Sequence, residues 1–196
     1  MSSDPWLQRW LALVRERAGG APVLELGCGS GDDTATLLTA GHSVIAIDLS
    51  ESSIAAAQAK VPGAAYHCQD IRAPFPARAT GLGVVLASLS LHYFEWSETL
   101  TLAGRIRDTL RPGGVLLCRL NSTEDHHHGA SGHPRIAENF YSVNGEPKRF
   151  FDRPSVEALF ANGWHTLAAE ERVTHKYAEP KWVWEVVVQR KEPSAA

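Results

Sequence analysis

Val23-Leu24-Glu25-Leu26-Gly27-Cys28-Gly29-Ser30-Gly31-Asp32 is the stretch whose reading decides the fold. A short apolar run ends in three glycines at alternate positions, and a polar segment suited to start a helix follows. Glycines let backbone approach a ligand closely, and a helix start offers free N–H groups. Strand, glycine loop and helix N-terminus together make the general nucleotide site of α/β folds. The spacing narrows the ligand. A dinucleotide fingerprint places its third glycine at position 32, where this chain has Asp32, its third glycine being Gly31. An acid at that helix start opposes a pyrophosphate and suits a positively charged ligand. No GxxxxGK[ST] stretch occurs, which excludes a phosphate-cradling P-loop.

Outward from this loop, the pattern alternates. Residues 4–17 read as a helix capped by Asp4, with Pro5 in its first turn and Trp6, Trp10, Leu13 and Val14 on one stripe. A strand over 21–26 follows, then a helix over 32–39 and a β-branched strand over 42–48. A helix opened by Ser50 is stopped by Pro62-Gly63, and a strand over 64–69 ends at Asp70. After a loop over 71–80 come a strand over 82–89, a helix over 96–110, a tight Arg111-Pro112-Gly113-Gly114 turn and a strand over 115–120. Strand and helix in alternation imply a parallel sheet with helices on both faces. Residues 121–148 break the pattern. They are rich in Gly, His, Ser, Asn and Glu, and read as an irregular, lid-like insertion in one domain spanning 1–196. A helix opened by Asp152 and strands over 164–172 and 182–189 complete the chain.

Composition bounds the partners. The 196 residues are 44% hydrophobic and 21% charged, as in an ordinary globular domain. A net charge of −3 and a pI near 6.3 argue against nucleic acid as a partner. No apolar run is long enough for a bilayer and no secretory signal opens the chain, so no membrane partner and a cytoplasmic location are expected. Cys28, Cys68 and Cys118 form no CxxC pair, so they read as small buried side chains rather than disulfide or zinc ligands. The chain is expected to act as a monomer or homodimer.

Asp48 ends the second strand about twenty residues beyond the glycines, where an acid reaches a ribose diol in doubly wound folds. Asp70 ends the third strand in the same way, so Glu25, Asp48 and Asp70 line one C-terminal sheet edge. With these partners the sequence resembles the class I S-adenosylmethionine-dependent methyltransferases. Glu25-Leu26-Gly27-Cys28-Gly29-Ser30-Gly31 is similar to their first motif and Ile47-Asp48-Leu49-Ser50 to their second. Gln69-Asp70-Ile71 is similar to their third, and Ser88-Leu89-Ser90-Leu91-His92-Tyr93-Phe94 to their fourth. Leu110-Arg111-Pro112-Gly113-Gly114-Val115-Leu116 is similar to the turn before their fifth strand. The resemblance implies a three-layer, Rossmann-like α/β fold on a seven-stranded, mostly parallel sheet, its last strand antiparallel. It also implies an S-adenosyl-L-methionine site of Glu25, Gly27, Cys28, Gly29, Gly31, Asp48, Leu49, Asp70, Ile71 and Ser88. Gly27 and Gly29 would meet the methionine part, with Glu25 near its ammonium. Asp48 would take both ribose hydroxyls, Asp70 the adenine amino group and Ile71 the ring, and the Ser88 backbone would face the sulfonium.

On the acceptor side the residues say less. Methyl transfer from a sulfonium is an in-line displacement, so the protein mainly positions a nucleophile. His92, just past the fourth strand, is the candidate catalytic base or orienting group. Tyr93, Asn121, His126 and Tyr141 are the candidate substrate contacts, and the His126-His127-His128 run with His133 reads as part of the lid. Metal sites need spaced ligands, so no metal is expected there. With no large extra domain, a small-molecule acceptor is expected. A nicotinamide-dependent oxidoreductase and a non-catalytic S-adenosylmethionine-binding protein remain as alternatives.

Overall fold

The computed structural model describes residues 5–192, so the proposed Asp4 cap lies outside the described residues. The N-terminal helix is split in two. Pro5–Trp10 form a 3-10 helix and α1 runs over Leu11–Ala18, closed by Gly19 in the left-handed conformation at φ 55°. The alternating core follows as β1 (Val23–Leu26), α2 (Asp32–Thr39), β2 (Val44–Asp48), α3 (Glu51–Lys60), β3 (Ala65–Cys68), β4 (Leu82–Ser88), α4 (Trp96–Thr109) and β5 (Leu110–Asn121). The Ser50 hydroxyl caps α3 by accepting from the Ser53 N–H at 3.2 Å.

The segment expected to be irregular is not. It folds as three short antiparallel strands, β6 (Arg135–Ala137), β7 (Phe140–Val143) and β8 (Glu146–Arg149), preceded by a 3-10 turn at His126–His128. Asn139 and Asn144 take positive φ and Gly145 follows, turn chemistry that joins strands too short to show a period-two pattern. The small sheet is tied to the core by backbone. The Arg149 N–H donates to the His92 carbonyl at 2.7 Å, and the Phe151 N–H to that of Asn121 at 2.7 Å. Then come α5 (Arg153–Leu159), closed at its start by an Asp152–Ser155 capping box, β9 (Trp164–Thr174) and β10 (Lys181–Arg190).

The seven strands of the main sheet lie in the order β3-β2-β1-β4-β5-β10-β9. The first five are parallel and β10 runs antiparallel to both its neighbours, β5 and β9. Alternation along each strand divides the core into two faces. Leu24, Leu26, Ile45, Ile47, Val85 and Leu116 pack with Leu102 and Ile106 of α4 and Val156 of α5. Val23, Val44, Ala46, Val84 and Leu86 pack on the other side with Val14 of α1, Leu37 of α2 and Ile54 of α3. This is the three-layer fold that the motifs imply. The Arg111–Gly114 turn sits inside β5, because Leu110 pairs with Leu82 while Val115 pairs with Val84. Gly83, left opposite that bulge, has no room for a side chain: a Cβ there would lie 1.7 Å from the Arg17 carbonyl oxygen. Cys28 and Cys118 are buried as expected, but Cys68 is exposed at the end of edge strand β3.

Candidate active site

The C-terminal edges of β1, β2 and β4 meet where the strand order reverses, the place where open α/β sheets bind ligands. The glycine loop folds there against β2. The N–H groups of Gly27 and Cys28 donate to the Ile47 carbonyl at 2.8 and 3.0 Å. Gly27, at φ 76°, also faces Ser90 so closely that a Cβ would meet that of Ser90 at 2.5 Å. Asp48 is held from both sides. Its Oδ2 accepts from the Gly29 N–H at 2.8 Å and its Oδ1 from the Ser50 N–H at 2.9 Å. Each oxygen keeps a further lone pair for a diol. Asp70 is gripped by Arg72, whose Nη2 donates to Oδ2 at 2.7 Å, and this hydrogen bonding holds its carboxyl below the ordinary range.

These residues border a cavity of about 1030 Å³, ample for a nucleoside-sized ligand. Its wall carries five carboxylates, Asp48, Asp70, Glu95, Glu98 and Glu146, against one guanidinium, Arg72. Leu49 stands at its edge 70% exposed, an apolar side chain free to cover a flat ring. Ser90 has a buried hydroxyl with no partner among the described residues. An acidic wall with an open apolar shelf repels a pyrophosphate and attracts a cation with a planar base. Asp32 adds little to that field. It pairs with Lys60 and Lys176, which pull its carboxyl down to about 2, and it is not part of the wall.

A second cavity of about 610 Å³ shares Leu89 and Tyr93 with the first. Leu89 sits at this junction with φ 57°, a left-handed conformation that a branched side chain rarely takes and that marks functional sites. The second wall includes His92, Asn121, His127, His128, His133, Lys148, Tyr177 and Lys181. His92 is 4% exposed, its ring lies 4.1 Å from that of Tyr93, and its Nδ1 has no partner among the described residues. Burial first, then the charges of Lys181 and Lys148, push its pKa down to about 3.

Comparison with known proteins bears on this arrangement directly. A family profile described as a methyltransferase domain matches residues 23–114. The match runs from β1 to the Arg111–Gly114 turn and supports a class I S-adenosylmethionine-dependent methyltransferase. An uncharacterised methyltransferase of Synechocystis sp. is 29% identical over 49% of this chain and 45% of its own length. A trans-aconitate 2-methyltransferase of Methylobacterium radiotolerans is 28% identical over 82% of this chain and 66% of its own. The chain thus spans less than two thirds of these curated relatives. In fold it is similar to an S-adenosylmethionine-dependent methyltransferase of Mesorhizobium loti, with a TM-score of 0.73 and 21% identity over 94% of this chain and 98% of that one.

Against the residues expected from the family's motifs, the wall of the first cavity holds Gly27, Gly29, Asp48, Leu49, Asp70 and Ile71. It does not hold Glu25, Cys28, Gly31 or Ser88. Glu25 is 2% exposed and accepts from the Thr34 hydroxyl of α2 at 2.5 Å, buried away from the cavity wall. Cys28 is buried beneath the loop, and Gly31 packs against Ala57 of α3. The Ser88 hydroxyl accepts from Arg119 Nε at 2.9 Å. On the acceptor side, His92, Tyr93 and Asn121 line the second cavity, but His126 and Tyr141 do not. In the 3-10 turn His126 points to solvent beside Glu124 while the next two histidines border the second cavity. Tyr141 packs instead on Phe150, ring centres 6.1 Å apart. Ser90, Leu89 and Lys148 were missed. Ser90 lies within the fourth motif two residues past β4, which is a usable signal, whereas nothing around Lys148 gives one.

Proposed function

We propose that the protein transfers a methyl group from S-adenosyl-L-methionine to a small-molecule acceptor. The observation that carries this is the pair of cavities joined at Leu89 and Tyr93, one acidic and nucleoside-sized, the other smaller and polar. The residues present fit the cofactor: Asp48 offers lone pairs to the ribose, Asp70, Ile71 and Leu49 an edge and faces to adenine, and the carboxylate wall a field that favours a cation. When bound, the cofactor supplies a carbon electrophile on a sulfonium, open to in-line displacement. The second chamber holds the acceptor at the junction, against Val143 of β7 and Lys148 of β8. The name of the Methylobacterium relative, a trans-aconitate 2-methyltransferase, supports a small acceptor.

A melting experiment separates this from the nicotinamide alternative. S-adenosylhomocysteine at about 100 times its Kd should stabilise the fold by about 2.7 kcal/mol, and NAD should leave the melting temperature unchanged. A shift with NAD alone overturns the proposal.

His92 takes the role of a hydrogen-bonding, orienting group rather than a base. With its pKa held near 3 the ring stays neutral from pH 5 upward, and a base that weak is poorly matched to neutral pH. His92→Gln should therefore keep turnover within about tenfold of the parent, without removing any inflection between pH 6 and 7 from the rate profile. A loss of about a thousandfold, or the disappearance of such an inflection, would reinstate His92 as the base.

A further inference from the structure

We infer that the second chamber is built for an acceptor carrying a carboxylate, with Lys148 as its counter-charge. This rests on the reading that the first cavity holds the cofactor and the second the acceptor. The two walls have opposite charge. The first carries five carboxylates and one guanidinium, whereas the second has two ammonium groups, Lys148 and Lys181, and no carboxylate in its wall.

The two lysines are not equivalent. Lys181 is neutralised from behind: its Nζ donates to Asp125 Oδ2 at 2.7 Å. Asp125 is fully buried, and its Oδ1 also takes His128 Nδ1 at 2.8 Å and the Trp182 N–H at 3.2 Å. Lys148 has no ion pair or side-chain hydrogen bond among the described residues, although it is only half-exposed. Its charge is therefore the unbalanced one. Its effect reaches into the chamber, since it acts on both Lys181 and His92, lowering each. An anion is what such a wall attracts.

The strand that carries Lys148 explains the division of charge. Along β8, Glu146 and Pro147 border the first cavity and Lys148 the second, so one short strand sets the acid on the cofactor side and the base on the acceptor side. A cation in one chamber and an anion in the other also draw together across the Leu89 junction. Two further features ask for a polar ligand rather than a hydrocarbon: His92 Nδ1 and Asn121 Oδ1, in residues of this wall, are buried without hydrogen-bond partners among the described residues. A buried polar atom left unmatched is costly, so the group that fills the chamber should hydrogen-bond as well as carry charge.

The test is calorimetric and needs no turnover. Protein saturated with S-adenosylhomocysteine is titrated with succinate and tricarballylate, with tricarballylamide as the uncharged match, and with inorganic phosphate and catechol. The carboxylates should bind, at least about tenfold tighter than the amide, as expected of a charge-assisted contact. Lys148→Ala should weaken them by about tenfold or more and Lys148→Arg should restore much of that, with S-adenosylhomocysteine affinity and melting temperature unmoved in both variants. Equal binding of amide and acid, indifference to Lys148→Ala, preferential binding of phosphate or catechol, or no binding of either carboxylate would each overturn the inference. Failure of the wild-type protein to bind S-adenosylhomocysteine would instead overturn the cofactor reading, which the first step of the titration reports separately.

Discussion

Asp48→Asn should weaken S-adenosylhomocysteine binding by about 100-fold or more while the protein stays folded. The size follows from two hydrogen bonds to an ionised acceptor, each worth about 1.5–3 kcal/mol. The substitution keeps the shape and one oxygen but turns the other position into an N–H₂ group. That group faces the Gly29 or Ser50 N–H, donor against donor, where the carboxylate now accepts at 2.8 and 2.9 Å. The loop would then loosen on its β2 side as well as lose its diol partner. Asp48 is partly exposed at the end of a strand whose other four residues are buried, so the core itself is not disturbed. Calorimetry gives the affinity and a melt in the absence of ligand gives the fold. Unchanged affinity would show that the ribose is held elsewhere, and the placement of the cofactor in the first cavity would fall with it.

Asp48 was legible in the sequence because its role is local: it ends an apolar, β-branched run at a set distance from a glycine loop. Asp70 is legible for the same reason, and so is the order of strands, since alternating periods allow few topologies. The acceptor chamber is different. Lys148 and Lys181 come from β8 and β10, and they meet only because a three-stranded sheet folds back over the main one. No periodicity announces strands of three or four residues. Within His126–His128, the phase of a single 3-10 turn decides which rings face the chamber, and one residue of error exchanges them. Asp32 misled in another way. As an acid at a helix start it read as a ligand-facing charge, but two lysines, Lys60 and Lys176, cancel it from elements distant in sequence.

Glu25 carries the second large expected effect, on stability. Its neighbours Leu24 and Leu26 turn to one face of β1, which sends Glu25 into the opposite layer with α2. Burial dominates its environment and raises its carboxyl to about 8, outweighing the Thr34 hydrogen bond that favours ionisation. In the unfolded chain the same group titrates near 4.5. A raised pKa means that the folded state holds a proton that the unfolded state has already lost. The stabilising contribution is therefore complete below about pH 4.5 and declines as pH rises to about 8, where the folded protein must also ionise the group. Glu25→Gln keeps the shape and a partner for Thr34 but removes the titration. The variant should be matched with the parent near pH 4.5 and more stable at pH 8.5 by on the order of 3 kcal/mol, read from denaturant midpoints across the range. The same variant decides where the glycine loop's acid acts. A neutral group beneath the loop has no charge to offer an ammonium at pH 7, so S-adenosylhomocysteine affinity should change by less than about threefold, under the cost of one lost hydrogen bond. Parallel pH curves for the two proteins would refute the buried, protonated state. A drop in affinity of a hundredfold would return Glu25 to the ligand-facing role that the motif implies.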